Sequence, residues 1–515
     1  MSPTEKKSLL SFSELVSAVK GTEISGNPPE LFSFINVCTD SRAVSASSLF
    51  VPLIGKEKDG HAYVPEALEK GASAVFLNRS EYEKNADAYK KLLEKRTNFF
   101  IFLVDDTLRA LQMAAARYVE KFPNLIKICV TGSSGKSTTK EMLVSVLSQK
   151  YDVVYSKGNF NSETGLPLSV FDIRENHEVG VFEMGMNRAH EIEEISSVLK
   201  ANYAVITNIG SAHIGCLGSR KAIAEEKRHA FDFIDERGAA LIPYEDDFKD
   251  FLSEKIRGKT IYFGPSVPTS VSGVEFVRDN GIFGTEFRVD GLAVRLGVPG
   301  LYNYSNALSV VALSRELGLS AENIKAGLEN FCPLGGRMEL FSIAAKNGAK
   351  FTLVKDSYNA NPESMKSVLD FMGSLKIEGK KMYVLGDMLE LGKEAENEHE
   401  KIGKTVAEKK PDFVVFVGEK MENAYRAALN LGFLDAIFVL YHDDEAMEKI
   451  AFEILERLSE NDIVLLKASR GIALERIVPL IQENGSSGNE KFIRGKKYAF
   501  ENGSFEKKES AGGKI

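Results

Sequence analysis

Cysteine is scarce and scattered in this chain. Its four cysteines, Cys38, Cys129, Cys216 and Cys332, share no C-x-x-C spacing, which argues against a disulfide framework or a zinc site and for free thiols in a reducing compartment. Positive charge is in deficit. The 65 Lys and Arg against 73 Asp and Glu leave a net charge of −8, the wrong sign for holding nucleic acid by a bulk field. No run approaches the roughly 18 apolar residues of a membrane span. The N-terminal Met-Ser-Pro-Thr-Glu-Lys-Lys lacks the apolar core of a signal peptide. These absences predict a cytoplasmic protein with no membrane insertion and no nucleic-acid partner. There is also no G-x-G-x-x-G, so a dinucleotide is not the favoured ligand. With 43% hydrophobic and 27% charged residues over 515 positions, what remains is a globular chain of about three domains.

The most informative stretch is residues 125–139, Leu-Ile-Lys-Ile-Cys-Val-Thr-Gly-Ser-Ser-Gly-Lys-Ser-Thr-Thr. An apolar, β-leaning run (Ile126, Ile128, Val130) feeds a loop bounded by Gly132 and Gly135, and a helical pattern (Met142, Leu143, Val146, Leu147) follows. Strand, glycine loop and helix in that order make a phosphate cradle. The glycines let backbone N–H groups turn inward, and the helix N-terminus adds partial positive charge. Thr131, Gly132, Ser133, Ser134, Gly135, Lys136 and Ser137 are the candidate ATP-binding residues. Lys136 would reach the β- and γ-phosphates, and the Ser137 hydroxyl would ligate Mg²⁺. The loop is the short form, G-x-x-G-K-S; a full Walker A loop has a further glycine at position 130, where Val130 stands. The competing reading is an ordinary βα turn with a surface lysine.

The fold class predicted is α/β in three domains. Residues 1–120 read as a small N-terminal α/β domain, with a helical pattern from Leu9 to Val19 and strands at 74–77 and 99–104. Within it, Asp40-Ser41-Arg42 either caps a turn or offers Ser41 and Arg42 to a substrate phosphate or carbonyl. Residues 121–333 alternate strand and helix as a central, mostly parallel P-loop-type ATPase domain, with strands ending at Ser156, Glu183 and Asn208. Ligands bind at the carboxyl ends of such strands. Glu183 is therefore a candidate Mg²⁺ ligand, with a helix cap as the bland alternative. His213 follows at the same sheet edge, although a lone histidine is more often structural. Lys227 falls on a helix beginning near Ser219 and reads, from spacing alone, as one charge on a solvated face. Residues 270–300 read as antiparallel strands with glycine turns. Asn303 and Asn306, at a helix entry, either cap it or meet a base edge. After a break at 332–337, residues 334–485 resume the alternation as a Rossmann-like C-terminal domain with strands at 351–354, 382–385, 413–417 and 463–466. The polar, aperiodic residues 486–515 are expected to be a disordered tail.

Four motifs, in order, carry a family resemblance: residues 132–139; Gly158-Asn159-Phe160-Asn161 with Gly165 and Pro167; Tyr358-Asn359-Ala360-Asn361-Pro362; and Leu385-Gly386-Asp387-Met388-Leu389-Glu390-Leu391-Gly392. Over roughly residues 30–480 the chain resembles the Mur ligases. The last two motifs resemble the branch that joins D-alanyl-D-alanine to UDP-N-acetylmuramoyl-tripeptide. The resemblance implies an ATP-dependent ligase of cytoplasmic peptidoglycan precursor synthesis, working through an acyl phosphate. It implies small-molecule substrates and a monomer. It also implies Ser137 and Glu183 on the Mg²⁺ that bridges the ATP phosphates, and His213 and Lys227 on a second, with Lys227 carbamylated by CO₂. Lys136, His213 and Lys227 would be catalytic. Asn303 and Asn306 would face adenine, and Arg337 and Asp356 would close on phosphate and ribose from across the domain break. Ser41 and Arg42 would lie at the UDP end, and Asn161 in the loop that meets the muramoyl substrate. Lys355, Tyr302, Ala468 and His190 depart from the family's usual Asp, His, Gly and Gly, and the common Glu two residues after Lys227 is missing.

Two alternatives belong to the same sequence features. A sibling amide ligase, either the third-residue Mur ligase or folylpolyglutamate synthase, would share the phosphate loop. The Asp-Asn-Pro-Arg of third-residue ligases selecting diaminopimelate is absent. A P-loop switch ATPase would need a water-positioning residue and a switch loop, and it leaves residues 358–362 unexplained.

Overall fold

The computed structural model describes residues 8–19, 34–55, 58–95 and 99–482, and the backbone of strands Glu23–Ser25, Glu490–Ile493, Lys496–Glu501 and Ser504–Lys507. Three α/β domains form around three separate sheets. The first sheet has five strands in the order Glu23–Ser25, Phe100–Val104, Ala72–Asn78, Ser48–Phe50, Asn36–Cys38. Ahead of it, helix Phe12–Ala18 starts where a helix should, at Ser11. The Ser11 hydroxyl accepts from the Glu14 N–H, and the Glu14 carboxylate accepts from the Ser11 N–H.

The central sheet positions the site. Its six strands are all parallel, in the order Lys259–Phe263, Ala239–Pro243, Tyr203–Ile206, Ile126–Thr131, Val179–Glu183, Val153–Tyr155. The chain first fills one side of Ile126–Thr131, with Val153–Tyr155 at the edge and Val179–Glu183 between, and then builds outward on the other. The loops leaving the middle strands therefore diverge and open a crevice at their carboxyl ends. Strand Ile126–Thr131 is buried on both faces, as a parallel strand must be. Ile128 and Val130 pack with Met142, Leu143 and Val146 of helix Lys136–Leu147. Cys129 faces the other way, among Phe182, Ile195 and Leu111. Val130 is thus still inside the strand, fully buried, at the position where a longer loop would have its first glycine.

Residues 270–300 form the expected antiparallel unit, Val274–Asp279, Thr285–Val289 and Leu292–Leu296. The C-terminal sheet runs Ala436–Val439, Phe413–Val417, Lys381–Gly386, Ile463–Lys467, Lys350–Asp356, all parallel, with Glu339–Ala344 added antiparallel. Strands Glu490–Ile493, Lys496–Glu501 and Ser504–Lys507 extend that edge antiparallel. Residues 490–507 therefore contain regular backbone where an aperiodic tail is expected, because runs of four to six residues are too short to show a period. Residues 483–489, 494–495, 502–503 and 508–515 lie outside the described residues. Among the described residues no helix is long and apolar enough to cross a membrane.

Candidate active site

Register brings the strand ends together. Val130 pairs with Glu183, and Thr131 with Ile206, so the glycine loop, Glu183 and the turn containing Asn208 leave the sheet side by side. The loop is anchored by that neighbouring turn. The Ser133 N–H donates to the Asn208 carbonyl at 3.0 Å, and the Ser134 N–H to its Oδ1 at 3.1 Å. Gly135 begins the helix in the left-handed region (φ 83°). A Cβ there would lie 2.6 Å from Oδ1 of Asn306, so glycine is required by conformation and by space.

A cavity of about 720 Å³ opens in front of this loop, lined by Ser133 to Ser137 and also by Asn161, Glu183, His213, Asn303 and Asn306. Arg337 and Asp356 reach it from beyond the domain break. Lys136 is curled back, its Nζ donating to the Gly132 carbonyl at 2.8 Å. Its pKa is lowered by burial, with Glu183 opposing and Arg337 reinforcing the shift. The Arg337 guanidinium donates to the Ser137 hydroxyl at 3.0 Å and stacks over the Tyr358 ring at 4.4 Å. Asp356 is paired with Lys467 (2.7 Å).

Glu183 is held by one oxygen only. Its Oε1 accepts from Asn161 Nδ2 at 2.7 Å, while Oε2 is buried without a partner. An orphaned carboxylate oxygen beside a phosphate loop is unfavourable until something positive arrives. With the Ser137 hydroxyl, it forms the oxygen-rich donor set that suits Mg²⁺. Among the described residues no group of three or more His, Cys, Asp or Glu is arranged to hold a metal, so such an ion would share these donors with phosphate oxygens.

Lys227 overturns the solvated-face reading. Helix Arg220–Arg228 is capped by Ser219 as expected, but Ile223, Glu226 and Lys227 form its buried face. Glu226 turns inward because its carboxylate accepts from the N–H groups of His190 (2.8 Å) and Ile192 (2.7 Å). Lys227 is 0% exposed, and its Nζ has no partner. Burial, aided by the charge of Lys136, holds its pKa well below the usual lysine range. It does not line the cavity but lies within electrostatic reach of Lys136 and His213, which do. His213, in the left-handed region (φ 67°), has Nδ1 3.0 Å from Oε2 of Glu390 but not aligned for a hydrogen bond.

Asn303 and Asn306 do not cap helix Leu301–Glu316, which starts at Gly300 without a side-chain cap. Asn303 Nδ2 donates to the Pro299 carbonyl and Asn306 Nδ2 to Asn303 Oδ1, which leaves Oδ1 of Asn306 against the glycine loop. Ser41 and Arg42 stand apart from the cavity. Arg42 pairs with Asp40 at 2.7 Å, and the Ser41 hydroxyl donates to Glu66 at 2.8 Å. Asp40 also caps the turn Ser41–Ala43, and Arg42 holds its carboxyl down at about 2. Thr131 and Gly132 form the loop's base rather than the cavity wall.

The sequence by itself assigns no roles to Asn361, Glu363 and Glu390. The structure sets all three across the domain seam. Asn361 donates to the Ser133 carbonyl and hydrogen-bonds the Ser134 hydroxyl, and the Glu363 carboxylate accepts from the Ser211 N–H at 2.6 Å. The available signal is position: Asn361 and Glu390 fall inside the two C-terminal motifs at strand ends, and Glu363 directly follows the first of them. Of the departures, Lys355 finds a partner, 3.5 Å from Glu339, whereas the φ of 66° at His190 accounts for the usual glycine and not for the histidine.

Comparison with known proteins agrees with this geometry. Three family models match in succession: "Mur ligase family, catalytic domain" at residues 34–119, "Mur ligase middle domain" at 130–314 and "Mur ligase, glutamate ligase domain" at 336–470. A UDP-N-acetylmuramoyl-tripeptide–D-alanyl-D-alanine ligase of Treponema pallidum is 38% identical over 478 residues, covering 92% of this chain and 99% of that protein. The crystal structure of MurF from Acinetobacter baumannii superposes with a TM-score of 0.79 at 27% identity, covering 91% of this chain and 98% of that one. MurF from Thermotoga maritima in complex with ADP gives 0.70 at 27% identity, covering 86% and 96%. With three family models matched in succession, a relative 38% identical over 92% of the chain, and a phosphate-loop sheet facing a C-terminal sheet across one cavity, this chain belongs to the Mur ligase family.

Proposed function

We propose that this protein is an ATP-dependent ligase that joins D-alanyl-D-alanine to UDP-N-acetylmuramoyl-tripeptide, acting in the cytoplasm as a monomer. The observation that carries the reading is the cavity itself. A short phosphate loop and an orphaned Glu183 oxygen face Arg337 and Asp356 from another domain. A peptide carboxylate is a poor electrophile, so its oxygen first attacks the γ-phosphorus of ATP, and the bond to ADP breaks. The amine nitrogen of D-alanyl-D-alanine then attacks the acyl-phosphate carbonyl. Phosphate leaves, and the amine releases its proton.

The chain's own residues lower the cost of bringing anions together. Amides of the first helical turn after Gly135 lack intrahelical acceptors and point at the phosphates. Lys136, freed from the Gly132 carbonyl, and Arg337, freed from Ser137, supply positive charge where it develops. Asn303 and Asn306 face the base, Asp356 the ribose, and Asn161 and its loop the muramoyl substrate. Ser41 and Arg42 hold the UDP end; the Arg42–Asp40 pair is exposed and costs little to exchange for a diphosphate. Two Mg²⁺ ions, one on Ser137 and Glu183 and one on His213 and a carbamylated Lys227, would supply charge neutralisation on the phosphates. The buried, unpaired Nζ of Lys227 supports the carbamate. A neutral amine adds to CO₂ with loss of one proton, giving an oxygen ligand where a cation would repel the ion.

Phosphate release from ATP, with and without each substrate, followed by mass analysis of the product, tests the reading. Release that requires both substrates, with a dipeptide gained, is expected. Gain of a single amino acid would favour a sibling ligase, and release without either substrate a switch ATPase. A carbamate carbon signal after ¹³C-bicarbonate, absent in Lys227→Met, is the parallel expectation for Lys227.

A further inference from the structure

The turn that carries His213 is gripped at both ends by the C-terminal domain. Before it, the Ser211 N–H donates to Glu363. After it, Gly215 in the short helix Ile214–Leu217 meets Gly392 backbone to backbone. A Cβ on Gly215 would lie 2.6 Å from the Gly392 nitrogen and 2.8 Å from the Glu390 carbonyl. A Cβ on Gly392 would lie 2.8 Å from the Gly215 Cα. Only glycine facing glycine permits this approach.

Between these grips sits the His213–Glu390 contact at 3.0 Å. Both residues adopt left-handed backbone, φ 67° and 66°, an arrangement that side chains accept only when their surroundings impose it. The surroundings of Glu390 do so. In its loop, the Met388 N–H donates to His399 Nε2 and the Leu389 N–H to the Ser469 hydroxyl, both at 3.0 Å. Asp387 accepts from the Met421 N–H at 2.8 Å, and Leu391 is buried. The Glu390 side chain itself is 55% exposed and lines the cavity. Packing therefore does not require a carboxylate there. The loop is held by these bonds and presents the Glu390 carboxylate to His213 across the seam.

We infer that Glu390 is a positioning residue for His213, delivered by the Gly215–Gly392 contact, so that the imidazole is set for the reaction only when the C-terminal domain has docked. This rests on the proposed ligase function for its kinetic consequence and on geometry alone for its structural one. Glu390 acts through His213 and need not touch substrate.

The test uses the full chain in three forms: wild type, Gly215→Ala and Glu390→Gln. Gly215 has ordinary helical backbone, and alanine is the better helix former, so Gly215→Ala obstructs docking without weakening its own element. Hydrogen exchange over residues 209–218 reads the contact without reference to activity. Protection is expected in wild type, at least tenfold faster exchange in Gly215→Ala, and an intermediate increase in Glu390→Gln. In the ligation assay both variants are expected to lose about 100-fold in kcat with the KM for ATP within about threefold, since the phosphate loop is untouched. Glu390→Asp should recover part of the loss. Wild-type exchange and wild-type kcat in Gly215→Ala and Glu390→Gln would overturn the inference. Loss of substrate-dependent phosphate release in the wild type would instead overturn the ligase reading, and the exchange data would still decide the contact.

Discussion

A lysine without a partner inside a protein works against its own fold. Lys227→Met should therefore abolish ligation while raising stability by about 1–3 kcal/mol in CO₂-free buffer, the usual range for relieving a buried unsatisfied polar group. The sign with pH follows from the depressed pKa. The unfolded chain takes up a proton that the folded chain does not, so wild-type stability rises with pH toward the ordinary lysine pKa of about 10.4. The advantage of Lys227→Met narrows over the same interval. Calorimetric midpoints of both proteins across pH check this; a constant gap would count against it. Cys129 behaves in the opposite sense, because burial raises its thiol from 9.0 to about 12. The folded chain keeps a proton that the unfolded chain releases. That contribution is whole below 9.0 and is lost as pH climbs toward about 12. At neutral pH iodoacetamide should modify exposed Cys216 and Cys332 and spare buried Cys129 until the protein unfolds. Peptide mass analysis before and after denaturation distinguishes them, and equal labelling of all sites in the native state would contradict the burial.

At the scale of elements, the strand–loop–helix unit at 126–147 depends on one backbone angle. Gly135→Ala must hold a side chain in the left-handed region, costing about 1–2 kcal/mol, and must push Asn306 aside as well. Nucleotide Kd should weaken about tenfold or more, read by titration calorimetry with ADP; unchanged affinity would mean that the loop relaxes freely. Much at this scale was legible in the sequence. Buried parallel strands announce themselves as short apolar runs, so the strands ending near Glu183, Asn208, Asp356 and Lys467 were all readable, and so was the order of the three domains. Lys227 was not, because its helix buries Glu226 and Lys227 together on one face and breaks the rule that charges mark the wet side. Asn303 and Asn306 fall at the entry of a helix that the sequence shows, but their bonds to Pro299 and to each other depend on a helix start at Gly300 that local patterning does not fix. Asn361, Glu363 and Glu390 were equally unreadable as partners. What they touch is decided by how two sheets dock, and nothing within a few residues of them encodes it.

Across the whole molecule, function is divided by distance. Arg42 lies outside the nucleotide cavity, so Arg42→Ala should raise the KM for the UDP-linked substrate about tenfold, the loss of a charged hydrogen bond, with the KM for ATP unchanged. Steady-state kinetics with each substrate varied in turn will show it, and a shift in both constants would place Arg42 nearer the reaction than the structure does. The seam is where the domains become one enzyme, and its residues arrive late in the chain. Domains fold as units in the order they are made. The phosphate loop, Glu183, His213, Lys227 and both asparagines precede residue 307, whereas Arg337, Asp356 and Glu390 follow it. On the ribosome, the nascent protein should thus have a finished nucleotide cradle well before it has the opposing wall. During that interval it could hold ATP but could not assemble the site that consumes it. The split of the cavity between early and late sequence thus makes the consuming half of the site the last part to be synthesised.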